Sequence, residues 1–200
     1  MARLVGVLGG TFDPPHYGHL RLAGEARRML LLDKVLWVVT AVPPHKPLAP
    51  VASIDTRLQL VRAALKDEQG FELSLADVER PAPHYAAGTM EWLRQRDPAA
   101  QFAYIMGSDS LIDLPTWHDP AGFLALCWRL AVLQRPGPKP DLATLEEALP
   151  GLGEKVVWVE ATLVDVSASE IRRRVKQDLP YKHLMPPGVA KIIEDLGLYR

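Results

Sequence analysis

The stretch of sequence that decides the fold lies near the start of the chain, where residues 4–20 read LVGVLGGTFDPPHYGHL. Its opening run, Leu4 to Leu8, is almost entirely apolar, as expected of a strand buried on both faces of a sheet. Gly9 and Gly10 allow close approach to the backbone, and a helix is predicted to begin near Tyr17. A strand, a glycine turn and a helix start in this order predict an anion-binding loop.

Similar apolar segments recur along the chain and alternate with segments of helical spacing. The strand candidates are Leu4 to Leu8, Val35 to Val39, Phe71 to Leu75, Phe102 to Met106, Leu130 to Leu133 and Val156 to Val159. Helical spacing is found in Leu20 to Leu30, Leu58 to Leu65, Thr89 to Leu93 and Leu145 to Leu149. This alternation predicts an α/β fold, a doubly wound parallel sheet, with C-terminal helices over Ser167 to Val175 and Gly188 to Leu196. Ligands of such folds bind beyond the carboxyl ends of the strands.

Composition describes one soluble domain over residues 1–200, with 48% hydrophobic and 24% charged residues. The formal net charge of −1 gives no bulk attraction to nucleic acid or to an anionic membrane, so neither is an expected partner. The sequence leaves open whether the chain forms a homo-oligomer. The longest apolar run, Phe123 to Trp128, is too short to span a membrane, and the N-terminus lacks a signal-peptide core. Because Cys127 is the single cysteine, we expect a cytoplasmic protein.

Two histidines stand at the predicted start of the first helix. His16 and His19 are three positions apart, so they share a helix face and can direct ring N–H groups toward an anion. The loop lacks the lysine of a Walker motif and the third glycine of a dinucleotide fingerprint. In a second interpretation, one histidine caps the helix and the other packs against the loop. A zinc site is disfavoured, because no glutamate lies between the histidines and no third ligand has a fixed spacing.

A second candidate loop precedes the predicted helix at Ser167. Ser167 and Glu170 have the spacing of a capping box, so the helix is predicted to start at Ser167. Arg172, Arg173 and Arg174 follow within two turns, where the helix dipole disfavours positive charge. An anion at this N-terminus would explain an arginine there, together with the Ser169 hydroxyl and free backbone N–H groups. Arg172 is the preferred ligand; the alternative is a solvated basic face.

These two loops resemble the signatures of a known enzyme superfamily. Residues 9–19, GGTFDPPHYGH, resemble the paired-histidine signature of nucleotidyltransferases, and residues 167–172, SASEIR, resemble their second signature. Pro43 to Lys46, the Tyr85 region, Gly107 to Leu111 and Leu114 to Trp117 resemble bacterial nicotinate mononucleotide adenylyltransferases. The resemblance implies a Rossmann-like fold and the reaction of ATP with nicotinate mononucleotide to give nicotinate adenine dinucleotide and pyrophosphate, a late step of NAD synthesis assisted by Mg²⁺.

The resemblance also implies site residues. His16, His19 and Arg172 are expected to be catalytic. ATP is expected to contact Gly9, Gly10, Thr11, Phe12, His16, Gly18, His19, Gly107, Asp109, Ser167, Ser169 and Arg172. Nicotinate mononucleotide is expected to contact Lys46, Tyr85, Ala86, Trp117 and His118. Magnesium would be carried by the nucleotide phosphates, with no dedicated protein ligands.

Some of these residues have structural alternatives. Asp109 has an alternative role as a helix N-cap, Trp117 as a core residue and Lys46 as a solvated lysine. Ser108 and Ser110 are interpreted as loop or cap residues, because no G-x-S-x-G frame surrounds them.

The chain departs from the family pattern in two places. His84-Tyr85-Ala86 stands where the family usually has Ser-Tyr-Thr, and Val166-Ser167-Ala168-Ser169 where it usually has Ile-Ser-Ser/Ala-Thr. The second exchange keeps a hydroxyl group. For the first, the resemblance implies that main-chain N–H groups at Ala86 and just after Trp117 hold the nicotinate carboxylate, which does not require the threonine side chain.

The chemistry needs no nucleophilic side chain, because the attacking phosphate is already an anion. Three other functions remain open at this point. They are transfer of a nucleotidyl group to another acceptor, as by pantetheine-phosphate adenylyltransferases or cytidylyltransferases; nucleotide binding without turnover; and metal-dependent hydrolysis through His16 and His19.

Overall fold

The computed structural model describes residues 2–41, 51–134, 137–160 and 166–200. The strands are β1 (Leu4–Gly10), β2 (Lys34–Val39), β3 (Phe71–Ser74), β4 (Gln101–Gly107), β5 (Arg129–Leu133) and β6 (Val156–Val159). The helices are α1 (Tyr17–Met29), α2 (Ile54–Leu65), α3 (Ala76–Glu79), α4 (Ala86–Arg96), α5 (Ser108–Asp113), α6 (Pro120–Leu126), α7 (Leu142–Ala148), α8 (Leu152–Lys155), α9 (Ala168–Lys176) and α10 (Pro187–Asp195). Short 3-10 turns cover Leu114–Thr116 and Lys182–Leu184.

The strands form one parallel sheet in the order β3-β2-β1-β4-β5-β6. The chain moves outward from β1 through β2 to β3, then returns to pair β4 with the other side of β1. Strand order therefore reverses between β1 and β4, and both strands end in glycine, at Gly10 and Gly107. A crevice between the carboxyl ends of such strands is the usual ligand site of a doubly wound sheet. The predicted α/β architecture is confirmed.

The sheet is buried on both faces. In β4, Phe102 and Tyr104 join the core on one face, whereas Ala103 and Ile105 join the core on the other, as the alternation of strand side chains requires. A third apolar cluster joins the C-terminal helices to α2. Its buried members include Leu60 and Ala64 of α2, Ile171 and Val175 of α9, and Val189 and Ile193 of α10. The C-terminal helices are therefore held against the element that follows β2.

All six predicted strands are present. They could be predicted because each is a largely apolar run of strand length. The short helices α3, α5, α6 and α8 were not predicted, since helices of one or two turns carry too few residues to show a period. The expected single domain over residues 1–200 stays a prediction. Within the described ranges, no helix combines the length and apolar character needed to cross a membrane.

Candidate active site

The loop between β1 and α1 follows the predicted course. His16 is the N-cap of α1 in an extended conformation, with φ −151° and ψ 171°, so the helix begins at Tyr17 as expected. Phe12 has a positive φ of 50°, a conformation that few non-glycine residues adopt and that concentrates at functional sites. Its buried ring packs against His19 and Trp37, with both ring centroids 5.0 Å away. Any contact of Phe12 with a nucleotide would therefore use its main chain.

The two histidines lie together on the first turn of α1. Their rings are stacked, with centroids 3.8 Å apart, and His16 is buried. The His16 main-chain N–H donates to His19 Nδ1 at 3.3 Å. Because Nδ1 accepts this hydrogen bond, the proton of a neutral His19 ring resides on Nε2, which is then a donor. Capping and anion contact are therefore compatible, since they use different nitrogens of the same ring.

Two glycines keep the loop tight. A Cβ atom at Gly9 would lie 2.6 Å from the Tyr104 hydroxyl oxygen of β4. A Cβ atom at Gly18 would lie 3.0 Å from the His16 ring. The glycines thus provide room for the neighbouring side chains of Tyr104 and His16.

The second loop brings one of its three arginines to the first loop. Ser167 is the N-cap of α9, and its hydroxyl accepts from the Glu170 N–H at 3.1 Å, which confirms the predicted helix start. The Ser167 and Ser169 hydroxyls are 3.0 Å apart. Arg172 Nη1 donates to the main-chain oxygen of Asp13 at 2.7 Å, and this contact joins the two sequence signatures.

The other two arginines of α9 behave differently. Arg173 and Arg174 bind the Glu170 carboxylate on the surface, each at 2.7 Å. They form the solvated basic face that the sequence left open as an alternative. Arg172 instead turns toward the first loop, where it binds the main chain.

Asp13, which no sequence pattern had indicated, is the centre of a buried polar network. Its Oδ2 accepts from the Val51 N–H at 2.8 Å, and its Oδ1 accepts from the Tyr199 hydroxyl at 2.6 Å. Asp13 is 4% exposed and Tyr199 is 8% exposed. Residues so far apart in sequence carry no shared pattern, so no signal in the sequence indicated this pair.

Arg57 of α2 lies beneath the first loop and was also missed. Its guanidinium donates to the main-chain oxygens of Thr11 at 3.0 Å, Thr40 at 2.8 Å and Ala41 at 2.9 Å. Burial lowers the pKa of Arg57, and the neighbouring Asp13 carboxylate opposes that shift. A signal for this residue existed, because position 57 falls on the buried face of α2 together with Val61 and Ala64.

The start of α4 forms a second part of the candidate site. Tyr85 is the N-cap of α4, and its ring stacks on His118 with centroids 4.2 Å apart. Ala86 is the first helical residue, so its N–H belongs to the first turn, whose N–H groups have no intrahelical acceptor. An anion such as a carboxylate is favoured at this position.

A polar cluster fixes the loop that leads into α4. Arg80 donates to the main-chain oxygens of Pro83 and Tyr85, both at 3.0 Å, and contacts the buried Asp77 carboxylate at 3.2 Å. Asp77 accepts from the Thr89 hydroxyl at 2.7 Å. Burial raises the pKa of Asp77, against the effect of these donors. His84, which replaces the serine of the family pattern, is buried beside this cluster and contributes to the electrostatics of Asp77.

Trp117 and Asp109 follow β4. The half-buried Trp117 ring packs against Phe123 and Tyr104 at the edge of the core, with centroids 5.3 Å and 6.2 Å away, and its contact with nicotinate stays a prediction. The N-cap interpretation of Asp109 is wrong. Gly107 is the N-cap of α5, because the chain enters this helix directly from β4, and Asp109 lies in the first turn.

The interpretation of the two neighbouring serines as loop or cap residues is also wrong. Ser108 and Ser110 are helical residues of α5, not loop or cap residues. Lys46, with the remainder of residues 42–50, lies outside the described residues. Among the described residues, no group of three or more His, Cys, Asp or Glu side chains is placed to hold a metal ion.

Comparisons with known proteins show the family of the chain. The profile of the cytidylyltransferase-like family matches residues 7–174, so the chain belongs to this family of nucleotidyltransferases. A relative from Thermomicrobium roseum is 40% identical over 100% of this chain and 92% of its own length. Another from Roseiflexus sp. is 40% identical over 98% of both chains. Both carry the name "Probable nicotinate-nucleotide adenylyltransferase". Within its class, the chain is thus a member of the nicotinate-nucleotide adenylyltransferase family of enzymes.

Solved structures support the fold. Nicotinic acid mononucleotide adenylyltransferase of Plasmodium falciparum, complexed with NaAD, has a TM-score of 0.78 at 17% sequence identity. The alignment covers 98% of this chain and 97% of that one. The same protein complexed with APC has a TM-score of 0.76. At this identity the likeness concerns the fold.

Proposed function

We propose that this enzyme transfers the adenylyl group of ATP to nicotinate mononucleotide, giving nicotinate adenine dinucleotide and pyrophosphate in NAD biosynthesis. Relatives that match nearly the whole chain carry the name of this activity. The observation that carries the proposal is the bond from Arg172 to the main chain of Asp13. It brings the N-terminus of α9 against the loop that holds His16 and His19, so the Arg172 guanidinium and N–H donors from both loops would be available to one anion.

In the reaction, an oxygen of the mononucleotide 5′-phosphate attacks the α-phosphorus of ATP. One P–O bond forms as the bond to the leaving pyrophosphate breaks, and no proton has to be removed from the nucleophile. Catalysis then depends on positioning and on stabilising the charge that develops on the leaving group. We assign His16 and His19 to the ATP phosphates, and Ser169 and Arg172 to the pyrophosphate end.

The remaining ATP contacts follow from the loops around these groups. The main chain of Gly9, Gly10, Thr11 and Phe12 would line the phosphates, with Gly18 and Ser167 supporting the histidines and the N-terminus of α9. Gly107 is the last residue of β4, next to β1, and Asp109 lies just beyond it. A carboxylate in the first turn of α5 suits a ribose hydroxyl, which can donate to it.

The nicotinate end is assigned to the start of α4. The Ala86 N–H and the main-chain N–H at His118 would bind the carboxylate, and the stacked Tyr85 and His118 rings would flank the base. Trp117 would offer the face that does not pack on the core. Lys46 is proposed to contact the mononucleotide phosphate on the grounds of the family resemblance.

Nucleotidyltransferases generally use a divalent metal ion, and we propose Mg²⁺. The side chains assigned to the phosphates are histidine, arginine and serine donors, whereas Mg²⁺ prefers oxygen ligands and retains several waters. This donor set fits an ion that arrives on the nucleotide. When bound, the ion would supply positive charge that offsets the negative charge of the phosphates. Ser169 and Arg172 would donate hydrogen bonds to oxygens at the pyrophosphate end.

We also propose that residues 1–200 form one nucleotidyltransferase domain that works in the cytoplasm. The buried Cys127 suits a reducing compartment. Burial raises the pKa of its thiol to about 12, so it stays protonated and inert.

The function is tested by pyrophosphate release from the purified chain. With ATP and nicotinate mononucleotide, we expect one pyrophosphate per dinucleotide formed and lower kcat/KM with the amide mononucleotide. Equal turnover with CTP, or with phosphopantetheine as acceptor, would assign the chain to another branch of the superfamily. Binding of ATP without pyrophosphate release would indicate a regulatory protein. Tightly bound stoichiometric zinc with hydrolysis of ATP would indicate a hydrolase.

A further inference from the structure

Tyr199, near the end of the chain, contacts the first loop, between β1 and α1. The Tyr199 hydroxyl donates to Asp13 Oδ1 at 2.6 Å, and both side chains are buried. The Tyr199 ring packs in the third apolar cluster, with Ile171 of α9 and Leu60 of α2. Tyr199 has a φ of 67°. Such a backbone is strained for a bulky residue and persists only where surrounding contacts hold it.

Asp13 connects this hydroxyl to the candidate catalytic residues. Its carboxylate accepts from Tyr199, whereas its main-chain oxygen accepts from Arg172 at 2.7 Å. The second carboxylate oxygen is held by the Val51 N–H. Burial and the bond to Asp13 raise the pKa of Tyr199, so the hydroxyl stays a donor throughout the neutral pH range. Asp13 is therefore fixed at three atoms, and the acceptor of Arg172 is fixed with it.

We infer that Tyr199 is a positioning residue for adenylyl transfer: its hydroxyl holds Asp13, and through the Asp13 carbonyl it orients Arg172 toward the phosphates of ATP. The inference rests on the proposed function of Arg172. It assigns a role in the reaction to a residue that lies outside both signature loops.

The test is Tyr199→Phe, which removes the oxygen and keeps the ring in its cluster. Because Arg172 is assigned to the pyrophosphate end of ATP, we expect kcat/KM for ATP to fall by about tenfold, through a higher KM for ATP and a lower kcat. KM for nicotinate mononucleotide should change by less than about twofold. If the substitution acted only by weakening the packing, the KM values for both substrates would change to a similar extent. Tyr181→Phe is the matched control, because it removes a hydroxyl from the same cluster without touching Asp13; both KM values should stay unchanged.

A double mutant separates an indirect effect from a direct one. If Tyr199 acts through Arg172, Tyr199→Phe should cause little further loss in an Arg172→Ala background. Additive losses would overturn the inference, as would equal losses for both substrates or wild-type kinetics for Tyr199→Phe. Should that variant be too unstable, Asp13→Asn weakens the same bond and should raise KM for ATP selectively. Absence of turnover in the wild-type chain would instead contradict the proposed function.

Discussion

At the residue scale, His19 illustrates how one side chain serves structure and chemistry together. Its Nδ1 accepts the N-cap N–H of α1, and its ring contacts the buried Phe12. The sequence presented capping and anion binding as alternatives, because spacing alone does not show which ring nitrogen faces which partner. The structure shows that Nδ1 is engaged in capping, and this fixes Nε2 as the donor of the neutral ring.

We predict that His19→Ala lowers kcat by about 100-fold or more, because it removes a donor to charge that develops in the transition state. The fold should survive with some loss of stability, since the substitution removes the hydrogen bond with the His16 main chain and the ring contacts with His16 and Phe12 but leaves the helix backbone intact. Steady-state pyrophosphate release and thermal melting measure the two effects separately. His183→Ala, an exposed histidine in the Lys182–Leu184 turn, is the control and should match the wild type. Near-normal turnover of His19→Ala would remove the phosphate assignment.

Gly9 gives a second prediction at this scale. A Cβ atom there would lie 2.6 Å from the Tyr104 hydroxyl oxygen but 3.5 Å from the next ring carbon. We therefore expect Gly9→Ala to destabilise the protein by about 1–3 kcal/mol through overpacking. In a Tyr104→Phe background the same change should cost much less. Urea unfolding of the four proteins in this cycle measures the coupling. If Gly9→Ala lowers the free energy of unfolding equally in both backgrounds, the close approach of its Cβ atom to the Tyr104 hydroxyl is not the cause of the loss.

At the scale of elements, the N-terminus of α9 was predicted well. The spacing of Ser167 and Glu170 located the helix start, because an N-cap is a local interaction with a local pattern. The sequence did not show that Glu170 binds Arg173 and Arg174 instead of completing a capping box. That choice depends on side chains one turn further along, which compete for the same carboxylate.

Glu170 gives a pH-dependent prediction. Hydrogen bonds from Arg173 and Arg174 lower the pKa of Glu170 from its usual 4.5 to about 2. A carboxyl whose pKa is lower in the folded state contributes stability above its unfolded pKa and loses it as the pH falls through the folded value. The stability difference between wild type and Glu170→Gln should therefore be largest above pH 4.5, shrink below it and vanish near pH 2.

The Glu170 effect should also depend on salt. The carboxylate is exposed, so added salt should screen the difference from Glu170→Gln. Urea unfolding at several pH values, at low and high salt, provides the measurement. A difference that does not vary with pH would show that these ion pairs contribute nothing.

At the scale of the whole molecule, the sheet could be predicted from the sequence. The buried polar contacts of Asp13, Arg57 and Tyr199 could be predicted only in part. Buried strands are continuous apolar runs, so their number and order along the chain follow from local composition. The bond between Asp13 and Tyr199 follows from the way α10 and its tail pack on α2. Such a contact depends on tertiary closure and has no local signature. The role of Arg57 could be predicted in part, because an arginine on the apolar face of a helix is unusual.

We predict that Arg57→Met destabilises the protein by about 3–5 kcal/mol, because main-chain oxygens of Thr11, Thr40 and Ala41 lose a buried charged donor and Asp13 loses a neighbouring cation. Arg57→Lys should recover part of the loss. Arg62→Met on the exposed side of the same helix is the control and should change stability by less than about 0.5 kcal/mol. Chemical denaturation monitored by circular dichroism measures these differences, and a small effect of Arg57→Met would contradict the role of the guanidinium.

The bonds from Asp13 to Arg172 and Tyr199 also bear on how the chain reaches its native state. Each joins the first loop to a residue near the far end of the sequence. Closing so long a segment costs chain entropy that contacts of short range do not, and contacts of this kind slow folding. During refolding from denaturant, we expect helical ellipticity to return first and catalytic turnover to lag behind it. Simultaneous recovery of both signals would show that the first loop and the C-terminal helices assemble in one cooperative event.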